Sequence, residues 1–192
     1  MSYEQEIITV RFDKKLLQGF SGYDVDNPET YFKAHPRAKK APFENLWGKK
    51  RTGLLPSTNK FLNCHDRRIQ NEIKQHIGDY TTYCLKVQRV PAAYFNKYIV
   101  LCVQYKPDRS NSDNDNTWVK SSLDAMTKFN MWPDDNYKHM KLFQSFSVHD
   151  KNDPRTELVI FPIFENEYEF DFVVDYVSKY IAKLERQYEV IE

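Results

Sequence analysis

YIVLCVQYKPDRSNSDNDNTWVKSSLDAM, residues 98–126, joins three kinds of segment in 29 residues. Its first part, 98–105, is a short apolar run rich in β-branched and aromatic residues, the signature of a strand. The middle, 106–116, is KPDRSNSDNDN, polar throughout except for Pro107, and reads as a loop. From about 117 to 129 the apolar positions Val119, Leu123 and Met126 recur at helical spacing, with Asp115 or Asn116 expected as N-cap. Outward from this core, residues 7–12 (IITVRF) predict a first strand. Residues 17–53 are broken by Gly19, Gly22, Pro28, Pro36 and Pro42 and predict irregular structure. After Asn63, the stripe Ile69, Ile73, Ile77 and Tyr80 predicts a helix that leaves at Gly78-Asp79, and 82–87 a second strand. Beyond Trp132-Pro133, residues 139–148 and 157–163 predict a hairpin turning at Asn152-Asp153-Pro154, and 172–188 a closing helix. The expected fold class is α/β, of α+β character: a mixed β-sheet with packed helices in a single domain.

The chain of 192 residues is 41% hydrophobic and 15% aromatic, enough for a core and too ordered in composition for an unfolded chain. Its 28 Lys and Arg nearly cancel 27 Asp and Glu, so net charge names no partner. The distribution is uneven. Residues 36–90 hold 12 basic and 4 acidic side chains, and residues 165–192 hold 8 acidic and 3 basic. A basic middle with an acidic tail fits a polyanion-binding surface, and equally fits ordinary solvated faces. Cys64, Cys84 and Cys102 form no C-x-x-C pair, and Cys84 and Cys102 fall in strand-like apolar runs as small core residues. MSYEQEIITVRF lacks the basic and then apolar regions of a signal peptide, and no apolar run is long enough to span a bilayer. A cytoplasmic protein with no membrane association is expected.

Asp113, Asp115, Asp134 and Asp135 concentrate the chemical potential of the chain. Asp113 and Asp115 stand two apart, so in an extended segment both face one side. If the chain turns back after Trp132, the second pair reaches the same region. Gathered carboxylates repel, and a divalent cation with a preference for hard oxygen ligands removes the conflict. Such an ion can generate hydroxide and stabilise a departing phosphate oxygen, and the ammonium of Lys120 can stabilise charge on the phosphate. The plainer alternatives are solvated acidic turns and a surface pair between Lys120 and Asp124 at i,i+4. His35, His65, His76, His139 and His149 show no metal-ligand spacing, and no G-x-S-x-G, P-loop or dinucleotide fingerprint occurs.

These pieces in this order resemble the RusA family of Holliday junction resolvases. The matching residues are Pro107, Asp113-Asn114-Asp115-Asn116, Lys120, Leu123-Asp124-Ala125, Trp132, Asp134-Asp135 and Pro154-Arg155-Thr156-Glu157, with Leu55 to Asn59 (LPSTN) as an earlier piece. The resemblance spans about 55–163. It implies an endonuclease domain over 1–164, a homodimer, Mg²⁺ dependence with Mn²⁺ as a substitute, and paired symmetric nicks in four-way junction DNA. The implied catalytic residues are Asp113, Asp115, Lys120 and Asp135. The implied metal ligands are Asp113, Asp115 and Asp135, with Asp134 as a secondary candidate. Contacts to the DNA backbone are expected from Lys49, Lys50, Arg51, Lys60, Arg67, Arg68 and Lys74. Three features depart from the family pattern. Asn116 and Lys120 are one residue further apart, the basic stretch 17–53 is an insertion, and the acidic, helical segment 165–192 is an extension. A broader flap or branch nuclease, a binding module that does not cut, and a structural protein with acidic loops are the competing readings.

Overall fold

A computed structural model of the protein describes residues 3–21, 33, 36, 55, 67–91, 94–108, 119–164 and 170–191. After a 3-10 turn at Tyr3–Glu6, the described elements run β1 (Ile8–Asp13), α1 (Lys14–Ser21), α2 (Arg67–Val87), β2 (Lys97–Lys106) and α3 (Lys120–Lys128). They continue with β3 (Met140–His149), β4 (Arg155–Ile163), α4 (Phe170–Gln187) and β5 (Glu189–Ile191). The strands form one mixed sheet in the order β1-β4-β2-β3-β5. The expected α/β class, a mixed sheet with packed helices, is what the chain adopts.

Strand β2 lies in the centre and is buried along nearly its whole length. Its near-continuous apolar run follows from having both faces covered. Tyr98, Val100 and Cys102 pack with Val10, Phe12, Leu158 and Ile160 under the α1–α3 layer. Ile99, Leu101, Val103 and Tyr105 face the other way, with Phe146, Val159, Phe161 and the α4 residues Val173, Val177 and Leu184. Period-two alternation along each strand therefore builds two cores, one per face. The acidic tail, expected as an extension, supplies the helix that covers the second face.

Several expectations change. Residues 82–87 are not a strand but the last turns of α2. Tyr80, Cys84 and Leu85 are buried and continue the apolar stripe of Ile73 and Ile77. The hydroxyls of Thr81 and Thr82 bond back to the carbonyls of Ile77 and Gly78 at 2.8 and 2.9 Å, as helical Ser and Thr do. Gly78 is thus internal to α2. The helix ends instead at Arg89, which takes a left-handed φ of 53°. Val90 N–H bonds Leu85 O at 2.9 Å and Arg89 N–H bonds Lys86 O at 3.1 Å, a Schellman arrangement. Cys84 is accordingly a buried helical residue rather than a strand residue.

Helix α1 occupies part of the stretch expected to be irregular. Asp13 caps it, accepting from Leu16 N–H at 2.8 Å. Gly19 is not a breaker there, because a Cβ at that position would stand 2.3 Å from Tyr83 Oη. Nor do residues 139–148 and 157–163 pair as a hairpin. β3 and β4 are consecutive, but β2 runs between them, parallel to β3 and antiparallel to β4. The turn between them crosses the end of β2, where Asp150 N–H bonds Lys106 O at 2.8 Å. A strand buried on both faces needs two neighbours, and that requirement outweighs the short-range pairing.

Candidate functional site

Helix α3 begins at Lys120, with Val119 as N-cap and no side-chain cap bond, and the expected caps Asp115 and Asn116 lie outside the described residues. Its apolar face, including Leu123 and Met126, is buried against the α2 layer. Thr81 Oγ1 also donates to Ser122 Oγ at 2.9 Å between the two helices. The helix closes on Asn130, whose φ is 62°, with Met131 N–H bonded to Met126 O at 3.2 Å. That reversal buries Met131 and Trp132. The Trp132 ring stacks on Tyr98, with centroids 4.2 Å apart. The chain thereby turns back along α3 and delivers the second acidic pair to the head of the helix.

There Lys120 Nζ donates to Asp135 Oδ2 at 2.5 Å and to Asp124 Oδ1 at 2.8 Å. The two carboxylates differ. The Asp135 side chain is 11% exposed, whereas Asp124 and Lys120 are half in solvent. Burial works against the charge on Lys120, but its hydrogen bonds to Asp124 and Asp135 outweigh it and hold its pKa above the ordinary lysine value. The pair between Lys120 and Asp124 is the i,i+4 helix contact that spacing alone predicts, and it contributes only about 0.3–0.5 kcal/mol. The contact with Asp135 joins residues 15 apart and requires the reversal.

Asp134 plays a different part. Its Oδ2 accepts from Asn136 Nδ2 at 2.6 Å and its Oδ1 from Asp135 N–H at 2.8 Å. These bonds, the Asn136 bond first, pull its pKa below the usual carboxylate value. Its backbone carbonyl accepts from Tyr98 Oη at 3.1 Å. Tyr98 is a contact of the acidic turn that sequence reading overlooked. It lies at the start of the β2 apolar run and looks like pure core, and only its bond to the Asp134 carbonyl shows that its hydroxyl reaches the acidic turn. Tyr98→Phe keeps the stack and removes that bond, so chemical denaturation should show a loss of about 1 kcal/mol with an unchanged m-value.

Asp113 and Asp115 lie outside the described residues, as do Lys49, Lys50, Arg51, Lys60 and Cys64. In the chain, Asp115 precedes Lys120 by five residues. Arg67, Arg68 and Lys74 are exposed on α2. The two resembling segments at Leu55 and Thr156 meet, since Leu55 N–H bonds Thr156 Oγ1 at 3.3 Å. Among the described residues no cluster of three or more His, Cys, Asp or Glu forms a metal-binding group. The described hard donors nearest Lys120 are the carboxylates of Asp135 and Asp124. Their chemistry suits Mg²⁺, which takes one or two carboxylates and completes its shell with water and phosphate oxygens. No helix among the described residues is long and apolar enough to cross a membrane. The chain matches no protein-family model and no curated protein.

Proposed function

We propose that the protein is a Mg²⁺-dependent endonuclease for branched DNA that resolves four-way junctions by paired nicks, as its resemblance to the RusA family implies. The observation that carries this reading is the meeting of Asp135 with Lys120. It brings a carboxylate with little solvent exposure to the head of the helix that follows Asp113 and Asp115 in the chain. In this reading Asp113, Asp115 and Asp135 hold Mg²⁺ or Mn²⁺, which activates water and stabilises the leaving oxygen. Lys120 offers its ammonium to the scissile phosphate. Arg67, Arg68 and Lys74, with Lys49, Lys50, Arg51 and Lys60, bind the phosphate backbone with little sequence readout. A homodimer supplies two such sites related by a two-fold axis, as two symmetric cuts require. The cellular setting is the cytoplasm.

A branched-DNA-binding module that does not cut is the second reading. It is favoured by the same bridge, since Lys120 already pairs with both Asp124 and Asp135 as a purely structural tie does. Labelled four-way junction, flap and linear duplex, each incubated with and without Mg²⁺, separate the readings. The nuclease reading expects nicks in the junction in Mg²⁺ alone. Cutting of flaps with equal speed makes it a broader branch nuclease. Junction binding without any cut supports the module, and absence of both binding and cutting overturns both.

A further inference from the structure

We infer that the free edge of β1 and the adjoining face of α4 form a docking groove for a short extended peptide carrying acidic side chains. Among the described residues β1 is an outer strand of the sheet and pairs only with β4. The direction of its remaining backbone groups follows from Gln88. That side chain accepts from Arg11 N–H at 3.0 Å and donates to Arg11 O at 2.8 Å, so both groups of Arg11 point away from β4. In an antiparallel strand the pattern repeats every second residue, so the N–H and C=O of Thr9 point outward too. Among the described residues nothing bonds them. Thr9 is exposed. An unpaired strand edge is a template for another strand, and Gln88 blunts this one at Arg11 while leaving Thr9 open.

The groove beside that edge encloses about 360 Å³ and is lined by Ile7, Thr9, Tyr176, Lys179, Tyr180 and Lys183. On α4 the last four stand at i, i+3, i+4 and i+7, so two rings alternate with two ammonium groups on one helical face. The rings are held in place, Tyr180 edge-on to Phe161 of β4 at 5.6 Å and Tyr176 edge-on to Tyr3 of the 3-10 turn at 5.1 Å. This is a basic stripe on an otherwise acidic segment. Glu4 also lines the groove, and Lys179 is tied to Asp175 at 2.6 Å, which leaves Lys183 as the principal cation facing an incoming acid. A strand added along Thr9 directs alternate side chains onto α4, where apolar ones meet the tyrosine rings and acidic ones the lysines. A second copy of this chain is a poorer occupant, because edge-to-edge pairing of two β1 strands brings each copy's lysines toward the other's. Single-stranded nucleic acid can stack on tyrosines but does not use a strand's N–H and C=O pair.

The test uses a fluorescein-labelled, end-capped peptide of alternating valine and glutamate, with a valine–lysine peptide and an oligothymidylate of similar length as competitors, read by fluorescence anisotropy. The valine–glutamate peptide is expected to bind saturably and to protect the Thr9 amide from hydrogen exchange. Lys183→Glu should weaken binding at least about tenfold, and Thr9→Pro, which deletes an outward N–H without touching the β4 ladder, should remove it. Should Thr9→Pro fail to fold, Lys183→Glu and the Thr9 protection decide the matter. The inference is overturned by no saturable binding up to about 1 mM peptide, by equal binding to the Lys183→Glu variant, or by tighter binding of the oligothymidylate.

Discussion

Asp135→Asn is expected to abolish junction cleavage while leaving the fold and junction binding intact. Asparagine keeps the shape and one oxygen of aspartate but removes the charge that draws a divalent ion. It also weakens the grip on Lys120, which retains Asp124 at 2.8 Å. Single-turnover cutting in Mg²⁺ should fall at least about 100-fold, equivalent to about 2.7 kcal/mol of barrier. Asp113→Asn and Asp115→Asn should do the same. Asp124→Asn is the control, because its half-exposed pair with Lys120 is a weak surface contact, and its rate should stay within a few-fold. Lys120→Ala should slow cutting by about tenfold or more while binding persists, if its ammonium serves the phosphate. Binding is read by gel shift in Ca²⁺ and should hold or tighten, since removing a carboxylate also removes repulsion from DNA phosphates. Unchanged cutting by Asp135→Asn sinks the assignment of that residue. A fall in both binding and melting temperature marks the bridge to Lys120 as a structural tie.

Why was this meeting only half legible in the sequence? Spacing alone predicts Lys120 with Asp124, because i,i+4 is a local relation. Asp135 depends on Asn130 adopting a left-handed conformation and on Trp132 finding Tyr98, which is a tertiary event. The strongly patterned elements were readable for the same local reason: β2 from its unbroken apolar run and α4 from its stripe of Val173, Val177 and Leu184. Errors arose where tertiary contacts override local preference. Thr82, Tyr83 and Val87 favour strands as isolated residues, yet the stripe through Tyr80 and Cys84 commits them to α2. The glycine rule for helix ends failed twice in one helix, since Gly78 is internal and Arg89 takes the left-handed turn. Consecutive strands β3 and β4 suggested a hairpin, but pairing order is decided by which strand is buried on both faces.

Arg155→Met is expected to cost about 3 kcal/mol of stability at neutral pH. The Arg155 side chain is 9% exposed and sits among carboxylates. Its Nε donates to Glu157 Oε1 at 2.6 Å, its Nη1 to Asp150 Oδ2 at 3.0 Å, and its guanidinium lies 3.4 Å from the centre of the Tyr105 ring. Burial opposes the charge, but bonds to Glu157 and Tyr188 hold its pKa above the ordinary arginine value. Methionine fills the space beside Tyr105 and leaves Asp150 and Glu157, each 14% exposed, without their cation. Asp153, bonded to Arg11 and near Arg155, has its pKa depressed, chiefly by the Arg11 bond. A depressed carboxylate contributes stability above its unfolded pKa, near 3.8, and loses it as pH falls through the folded value. Arg155→Met leaves the Arg11 bond in place, so parent and variant alike should lose this contribution as pH falls below about 4. Urea denaturation at pH 7 measures the cost of the substitution, and near pH 3.5 the loss that both proteins share. Equal stability of the two proteins at pH 7 would show that the acids relax into solvent without Arg155. The cluster also has a bearing on the site. Asp150 ties Arg155 to the turn whose N–H holds Lys106 O, at the end of β2 from which the chain departs toward Asp113 and Asp115. A variant that still folds at low temperature should thus cut junctions more slowly than its folded fraction predicts, because the base of that segment has lost its clamp.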